Sequence, residues 1–225
     1  MPPVAGTLEV TDGPVLVHPA PGASITVDGR PVAGGTQLFD DEHETPTVLE
    51  LASLRLVLIR RGGRPGLRVR DTSARALRTF TGLDYFAIDP RWRITGHLRR
   101  GAPDATIRVP DILGNVVDGH TPGVVEFEVD GRSCRLEALE AGPDTLWLLF
   151  GDPTNGRDTY GGGRFLVTGT VRDDDTVDVD FNLAYNPPCV FTPHATCPLA
   201  PPANRLPVRI EAGERLWTPD WTPGT

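Results

Sequence analysis

Lysine does not occur in this sequence: all 22 basic residues are arginine. That absence excludes Schiff-base chemistry and a Walker-type phosphate loop, both of which need a lysine amine. An excess of positive charge is missing too. With 30 Asp and Glu the formal net charge is −8, whereas holding nucleic-acid phosphates takes a basic surface that displaces counterions. No run approaches the roughly eighteen apolar residues of a membrane span. The opening "MPPVAGTLEV" has neither a basic n-region nor an apolar h-region, so no signal peptide is read there. The expectation is a cytoplasmic protein without nucleic-acid or membrane partners. Three cysteines in 225 residues do not make a disulfide framework. Gly-x-Ser-x-Gly, His-Glu-x-x-His and a dinucleotide fingerprint are absent, and no cofactor is expected.

Glycine and proline are abundant, at 25 and 23 residues, which favours short strands joined by tight turns over long helices. Strand-like runs recur about every eight to twelve residues. "SITVDGRPV" and "EFEVDGRSCRLEAL" each place Asp-Gly between alternating runs, the strongest short-range hairpin signal. "LRLVLIRR", "GLRVRD", "RWRITGHL", "TLWLLF", "RFLVTGTV" and "TVDVDFNL" extend the set to roughly a dozen strands. Only "TSARALRTF" (72–80) reads as helix, with Ser73 as its cap. The predicted fold class is all-β: many short antiparallel strands in a sandwich or barrel-like body, with an irregular proline-rich C-terminal segment. Residues 1–75 read as an N-terminal meander of hairpins and 76–225 as a second β-domain. The tail "LWTPDWTPGT" carries two tryptophans without a strand pattern, and fits either a loose end or a docked arm.

Three segments concentrate polar chemistry. In "TVDVDFNLAYN", alternation sends Val177, Val179, Phe181 and Leu183 to one face and Asp178, Asp180 and Asn182 to the other. Asp178 reads as solvent-facing. Asp180 and Asn182 run into a proline-stiffened loop and could orient that loop or a ligand. In "GDPTNGRDTYGGGRF" the calcium-loop pattern is only approximate: the glycine stands at the fifth place and no glutamate at the twelfth. A long hairpin connection whose Asp and Thr side chains bond their own backbone fits as well. There Arg164 offers a fork for an anionic group, or a structural partner for Asp180. In "YNPPCVFTPHATC", Cys189, His194 and Cys197 have C-x4-H-x2-C spacing. Zinc ligation, a Cys189–Cys197 disulfide, a nucleophilic cysteine beside His194, and two structural thiols all stay open. Cys134, on a strand face with Leu136, reads as core. His18, His43 and His120 read as exposed.

The segments "GLDYFAIDPRWRI", "GDPTNGRDTYGGGRFL", "DFNLAYNPPCVFTPHATCPLAPPANRLPV" and "EAGE" resemble the bacterial family called domain of unknown function 1684, from about Leu54 to Arg215. Asp152, Thr154, Thr159, Tyr160, Gly163, Arg164, Asp180, Asn182, Tyr185, Asn186, Pro187, Cys189, Cys197, Pro198, Asn204 and Glu214 fall on its motif. The resemblance brings no established activity with it. Family members usually begin with a tryptophan- and arginine-bearing helical segment that the opening here does not show, and His194 stands where a varied, often aromatic residue is expected.

The leading expectation is a protein that binds a small polar or anionic metabolite, or acts on it. Asp180 and Tyr160 would be catalytic. Arg164, Asp152, Thr154, Thr159, Asn182, Tyr185, Asn186, Asn204 and Glu214 would bind the ligand. The alternative is a non-catalytic scaffold or interaction module in which the same residues fix the C-terminal loop onto the sheet. A metal-assisted hydrolase using Cys189, His194 and Cys197 is the third reading, and a homo-oligomer fits any of the three.

Overall fold

The computed structural model describes residues 4–11, 13–61 and 63–218. The chain divides into two compact units, Met1–Phe80 and Thr81–Thr225. It is almost entirely antiparallel β, as the sequence predicts.

The first unit contains β1 (Gly6–Val10), β2 (Val15–Pro19), β3 (Thr26–Val27), β4 (Arg30–Pro31), β5 (Thr36–Leu38), β6 (Val48–Leu51), β7 (Leu54–Arg61) and β8 (Arg64–Asp71). They form one sheet in the order β1-β2-β5 and another in the order β4-β3-β6-β7-β8. Val15, Val17, Ile25, Leu38, Leu49, Leu51 and Leu58 make its core. Helix α1 is shorter than predicted, Arg75–Thr79, and its cap position is Ala74, which makes no side-chain cap bond. Ser73 fails as the cap because its hydroxyl is engaged with Asp71 and Ser53 instead.

The second unit holds β9 (Arg93–Arg100), β10 (Thr106–Pro110), β11 (Val116–His120), β12 (Gly123–Val129), β13 (Arg132–Gly142), β14 (Thr145–Phe150), β15 (Arg164–Val167) and β16 (Thr176–Asp180). Six of these form a sheet in the order β15-β14-β13-β12-β9-β16, and β10 and β11 pair separately. Sixteen strands occur among the described residues where about a dozen were expected; two-residue strands such as β3 and β4 are too short to show alternation. Both Asp-Gly pairs turn hairpins. Asp28 and Gly29 have φ of 50° and 73°, Asp130 and Gly131 of 50° and 72°, the paired positive values of a two-residue turn that matches strand twist.

Alternation along each strand supplies one apolar face. Val125, Phe127 and Val129 of β12, Leu136 and Ala138 of β13, and Val177 and Val179 of β16 are buried together. The C-terminal coil shows the same period without a ladder of its own: Leu206, Val208, Ile210 and Ala212 join that core, while Pro207, Arg209 and Glu211 between them are exposed. Burying the three larger side chains stabilises the coil by about 1.5–3 kcal/mol each. The predicted alternation of "TVDVDFNL" stops early. Phe181 is buried but Leu183 is 65% exposed, because β16 ends at Asp180 and a 3-10 turn over Phe181–Leu183 rotates the last side chain outward. Trp217 packs on Phe191 with ring centroids 5.3 Å apart, and Trp221 lies outside the described residues.

No helix among the described residues is long and apolar enough to cross a membrane.

Candidate functional site

The glycine-rich loop between β14 and β15 is organised around one carboxylate. Asp152 accepts from the Thr154 backbone N–H at 3.0 Å and from the Thr154 hydroxyl at 2.9 Å. It also accepts from the Ile210 N–H at 2.9 Å and from Arg164 Nη2 at 3.3 Å. Four donors saturate it, which leaves no lone pair for calcium. The Thr154 and Thr159 hydroxyls lie 2.8 Å apart, and Asn155 Nδ2 donates to Thr159 at 2.9 Å and to the Tyr160 carbonyl at 3.0 Å. The loop is a turn that bonds itself and the coil.

Arg164 opens β15 with no solvent exposure, although it is the largest fully buried side chain. Its guanidinium lies over the Phe150 ring, 5.2 Å from the centroid. Besides Asp152 it donates to the carbonyls of Ile210 at 2.8 Å, of Ala212, and of Glu214 at 3.4 Å. Burial lowers its pKa, and the Asp152 carboxylate opposes that shift. The expected structural partner was Asp180; Asp152 takes that place. Its Nη1 and Nη2 are spent on three main-chain carbonyls of the coil and on Asp152, and its Nε is buried without a partner.

The other expected ligand residues also make contacts within the chain. Asp180 Oδ1 accepts from Asn182 N at 3.1 Å and Nδ2 at 2.9 Å, capping the 3-10 turn. Asn182 in turn accepts from Asp89 N and donates to Asp89 O, at 3.1 and 3.0 Å. Tyr185 exchanges backbone bonds with Phe165, each 2.9 Å, and its ring meets Phe165 edge-on. Glu214 receives Asn186 N at 2.7 Å and the Tyr85 hydroxyl at 3.3 Å, while Asn186 Nδ2 donates to Arg215 O at 2.8 Å. Asn204 accepts from Glu137 N at 2.8 Å and donates to the carbonyls of Glu137 and Leu149 at 2.8 and 2.9 Å. Asp178, read as solvent-facing, holds Arg93 and Arg172, each at 2.9 Å.

Tyr160, Cys189 and Cys197 do converge. The Cys189 thiol donates to the Tyr160 hydroxyl at 3.5 Å, and the Cys189 N–H donates to Cys197 Sγ at 3.1 Å. All three cysteines are free thiols. Burial, then the Cys189 thiol, pushes both the Tyr160 phenol and the Cys197 thiol up to about 12, so neither is an anion near neutral pH. His194 is exposed and its N–H turns to Thr192 Oγ1 at 3.3 Å. Among the described residues no three His, Cys, Asp or Glu side chains are placed to hold a metal ion. Cys134 is buried in the core, as expected.

The structure thus gathers Asp152, Thr154, Thr159, Arg164, Asn186 and Glu214 around the coil. Asp180 with Asn182, Asn204, and Tyr160 with the thiols form separate sets. Two hollows lie elsewhere. One of about 240 Å³ is bordered by Ser133, Arg135, Arg205 and Leu206. The other, about 460 Å³, is bordered by Arg91, Arg132, Arg209 and Glu211. None of the residues expected to bind or react lines either. Sequence reasoning missed Tyr85 and these arginines. Exposed arginines in alternating strands carry no signal that distinguishes a groove from a solvated face.

Three comparisons bear on these residues. A model of the family described as "Protein of unknown function (DUF1684)" matches residues 78–215. An uncharacterised protein of Haloarcula marismortui, solved by solution NMR, is 31% identical, with a TM-score of 0.51 over 62% of this chain and 78% of that one. The search of curated proteins gave no match.

Proposed function

Since the chain belongs to the DUF1684 family of proteins of unknown function, we propose from its geometry that the unit Thr81–Thr225 is a non-catalytic interaction module. Its motif residues fasten the C-terminal coil to the sheet. The observation that carries this reading is Arg164. It has no exposure, and its two terminal nitrogens donate to Asp152 and to three coil carbonyls, while its Nε is buried without a partner. An extended coil laid over a sheet core must satisfy its backbone groups without a neighbouring strand, and Arg, Asn and Asp side chains supply those bonds. A substrate-binding arginine would keep at least one edge of the fork toward a cavity.

The two functional classes part on stability. As a fastener, Asp180→Ala or Asn186→Ala lowers the melting temperature of this unit by several degrees, through caps and buried bonds worth about 1–2 kcal/mol each. As ligand contacts, the same variants would melt like the parent chain. Parent-like melting of both would end the module reading.

A further inference from the structure

We propose that Cys189 and Cys197 are a reversible redox pair, which a peroxide oxidises to a disulfide that locks the loop between them. The proposal goes beyond the interaction-module reading and does not depend on it.

Separate segments hold the two thiols together. Cys189 lies in a 3-10 turn, Pro188–Val190, where Pro187 and Pro188 stiffen the chain. Its N–H donates to Cys197 Sγ at 3.1 Å. That contact keeps the two Cα atoms within roughly 7 Å, the span that a disulfide bridges. The β10–β11 hairpin holds Cys197 from the other side. The Cys197 carbonyl accepts from Ile112 N at 3.1 Å, and Leu199 N donates to Pro110 O at 2.7 Å. The glycine-rich loop adds a further contact. Tyr160 Oη accepts from the Cys189 thiol at 3.5 Å. The Tyr160 ring occupies the space that glycine leaves at position 162, where a Cβ would stand 2.6 Å from it.

Access to the two sulfurs is unequal. Cys189 is half-buried and Cys197 is buried, so a small oxidant arriving from solvent meets Cys189 first. Burial and the Cys189 thiol push the Cys197 thiol up to about 12, and as a thiol it does not compete for the oxidant. Cys134 belongs to the core of the sheet and provides an internal control.

In the first step the Cys189 sulfur attacks a peroxide oxygen and the O–O bond breaks. The thiol proton goes to the departing hydroxide, leaving a sulfenic acid and water. In the second step Cys197 Sγ attacks that oxidised sulfur and the S–O bond breaks. Hydroxide leaves and takes the Cys197 proton as water. Two thiols and one hydrogen peroxide thus become one disulfide and two waters, and the peroxide gains the two electrons that the sulfurs lose. The new bond takes the S–H donor away from Tyr160. It also ties the hairpin side to the turn that follows Asn186, whose groups are bound to Glu214 and Arg215. Such a cross-link restricts the unfolded chain, so the oxidised form is the more stable one.

The test treats the native full chain with one equivalent of hydrogen peroxide, then denatures it and adds iodoacetamide. Trypsin leaves both cysteines in one peptide, 173–205, because no arginine lies between them and the chain has no lysine. That peptide should be lighter by two hydrogens and unlabelled, while Cys134 is labelled. Dithiothreitol should restore labelling at both positions. Cys197→Ser should trap a sulfenic acid at Cys189, detected with dimedone, and Cys189→Ser should leave Cys197 unoxidised. The oxidised chain should melt several degrees above the reduced one. Labelling of both cysteines after peroxide overturns the proposal. So does a disulfide between two chains, or a sulfinic acid at Cys189 in the parent chain. A lower melting temperature on oxidation also overturns it, because the native loop would then not accommodate the bond. None of these outcomes touches the Asp180 and Asn186 melts, which test the module reading separately.

Discussion

Arg164 and Asp152 face each other at 3.3 Å, each with a fully buried side chain, and the same carboxylate receives the Ile210 N–H. Removing one charge leaves the other uncompensated in the core. We expect Asp152→Ala and Arg164→Met each to lose about 3–5 kcal/mol. Urea titration followed by tryptophan fluorescence measures the change in the unit concerned, because all four tryptophans lie beyond residue 80. A loss below about 1 kcal/mol for both variants would contradict the buried pair.

Asn204→Ala removes three bonds at once, to Glu137 N, Glu137 O and Leu149 O. With unsatisfied groups costing about 1–3 kcal/mol apiece, a loss of several kcal/mol is expected in the same titration. Asn204→Asp should not rescue it, since a carboxylate cannot donate to the two carbonyls.

Alkaline pH should weaken this unit. The Cys197 thiol is raised from 9.0 and the Tyr160 phenol from 10.0, both to about 12. Between those values the unfolded chain has released protons that the folded chain still holds, so the free energy of unfolding falls as pH rises through the window. Below about pH 8 both groups are protonated in either state and contribute almost no slope. Urea midpoints measured from pH 8 to about 11 should fall, and Tyr160→Phe should flatten the upper part of the decline.

Gly213 has φ of +73°, and a Cβ there would stand 2.4 Å from the Ala184 carbonyl oxygen. Left-handed backbone alone costs a non-glycine residue about 1–2 kcal/mol, and the contact with backbone adds to it. Gly213→Ala is expected to lower the melting temperature by more than about 5 °C.

Phe181 and Leu183 stand two residues apart with opposite fates. Phe181→Ala should cost about 3–5 kcal/mol, whereas Leu183→Ser should stay within about 0.5 kcal/mol. Equal costs would mean that β16 continues past Asp180.

Period-two alternation and Asp-Gly turns made the fold class legible before any coordinates, because both signals are local. The end of β16 was not legible. Leu183 continues the alternation in letters, and only the Asp180 cap on Asn182 breaks it in space. The polar residues of the C-terminal half were identifiable as a set, but their partners were not. Arg164 could have met Asp180, an anion or Asp152, and the choice depends on where a coil some fifty positions later crosses the sheet. The arginines along β13 were invisible for another reason: the missing neighbour strand, rather than any residue, makes their surroundings a groove.

The carbonyls that receive Arg164 lie 46 to 50 positions further along the chain. During vectorial synthesis the unit therefore emerges with its central cation bare, and closure waits until Glu214 has cleared the ribosome. A nick or stop upstream of Ile210 would remove a wall of the domain rather than trim a dangling end, and quality control should meet such fragments as unfolded polypeptide.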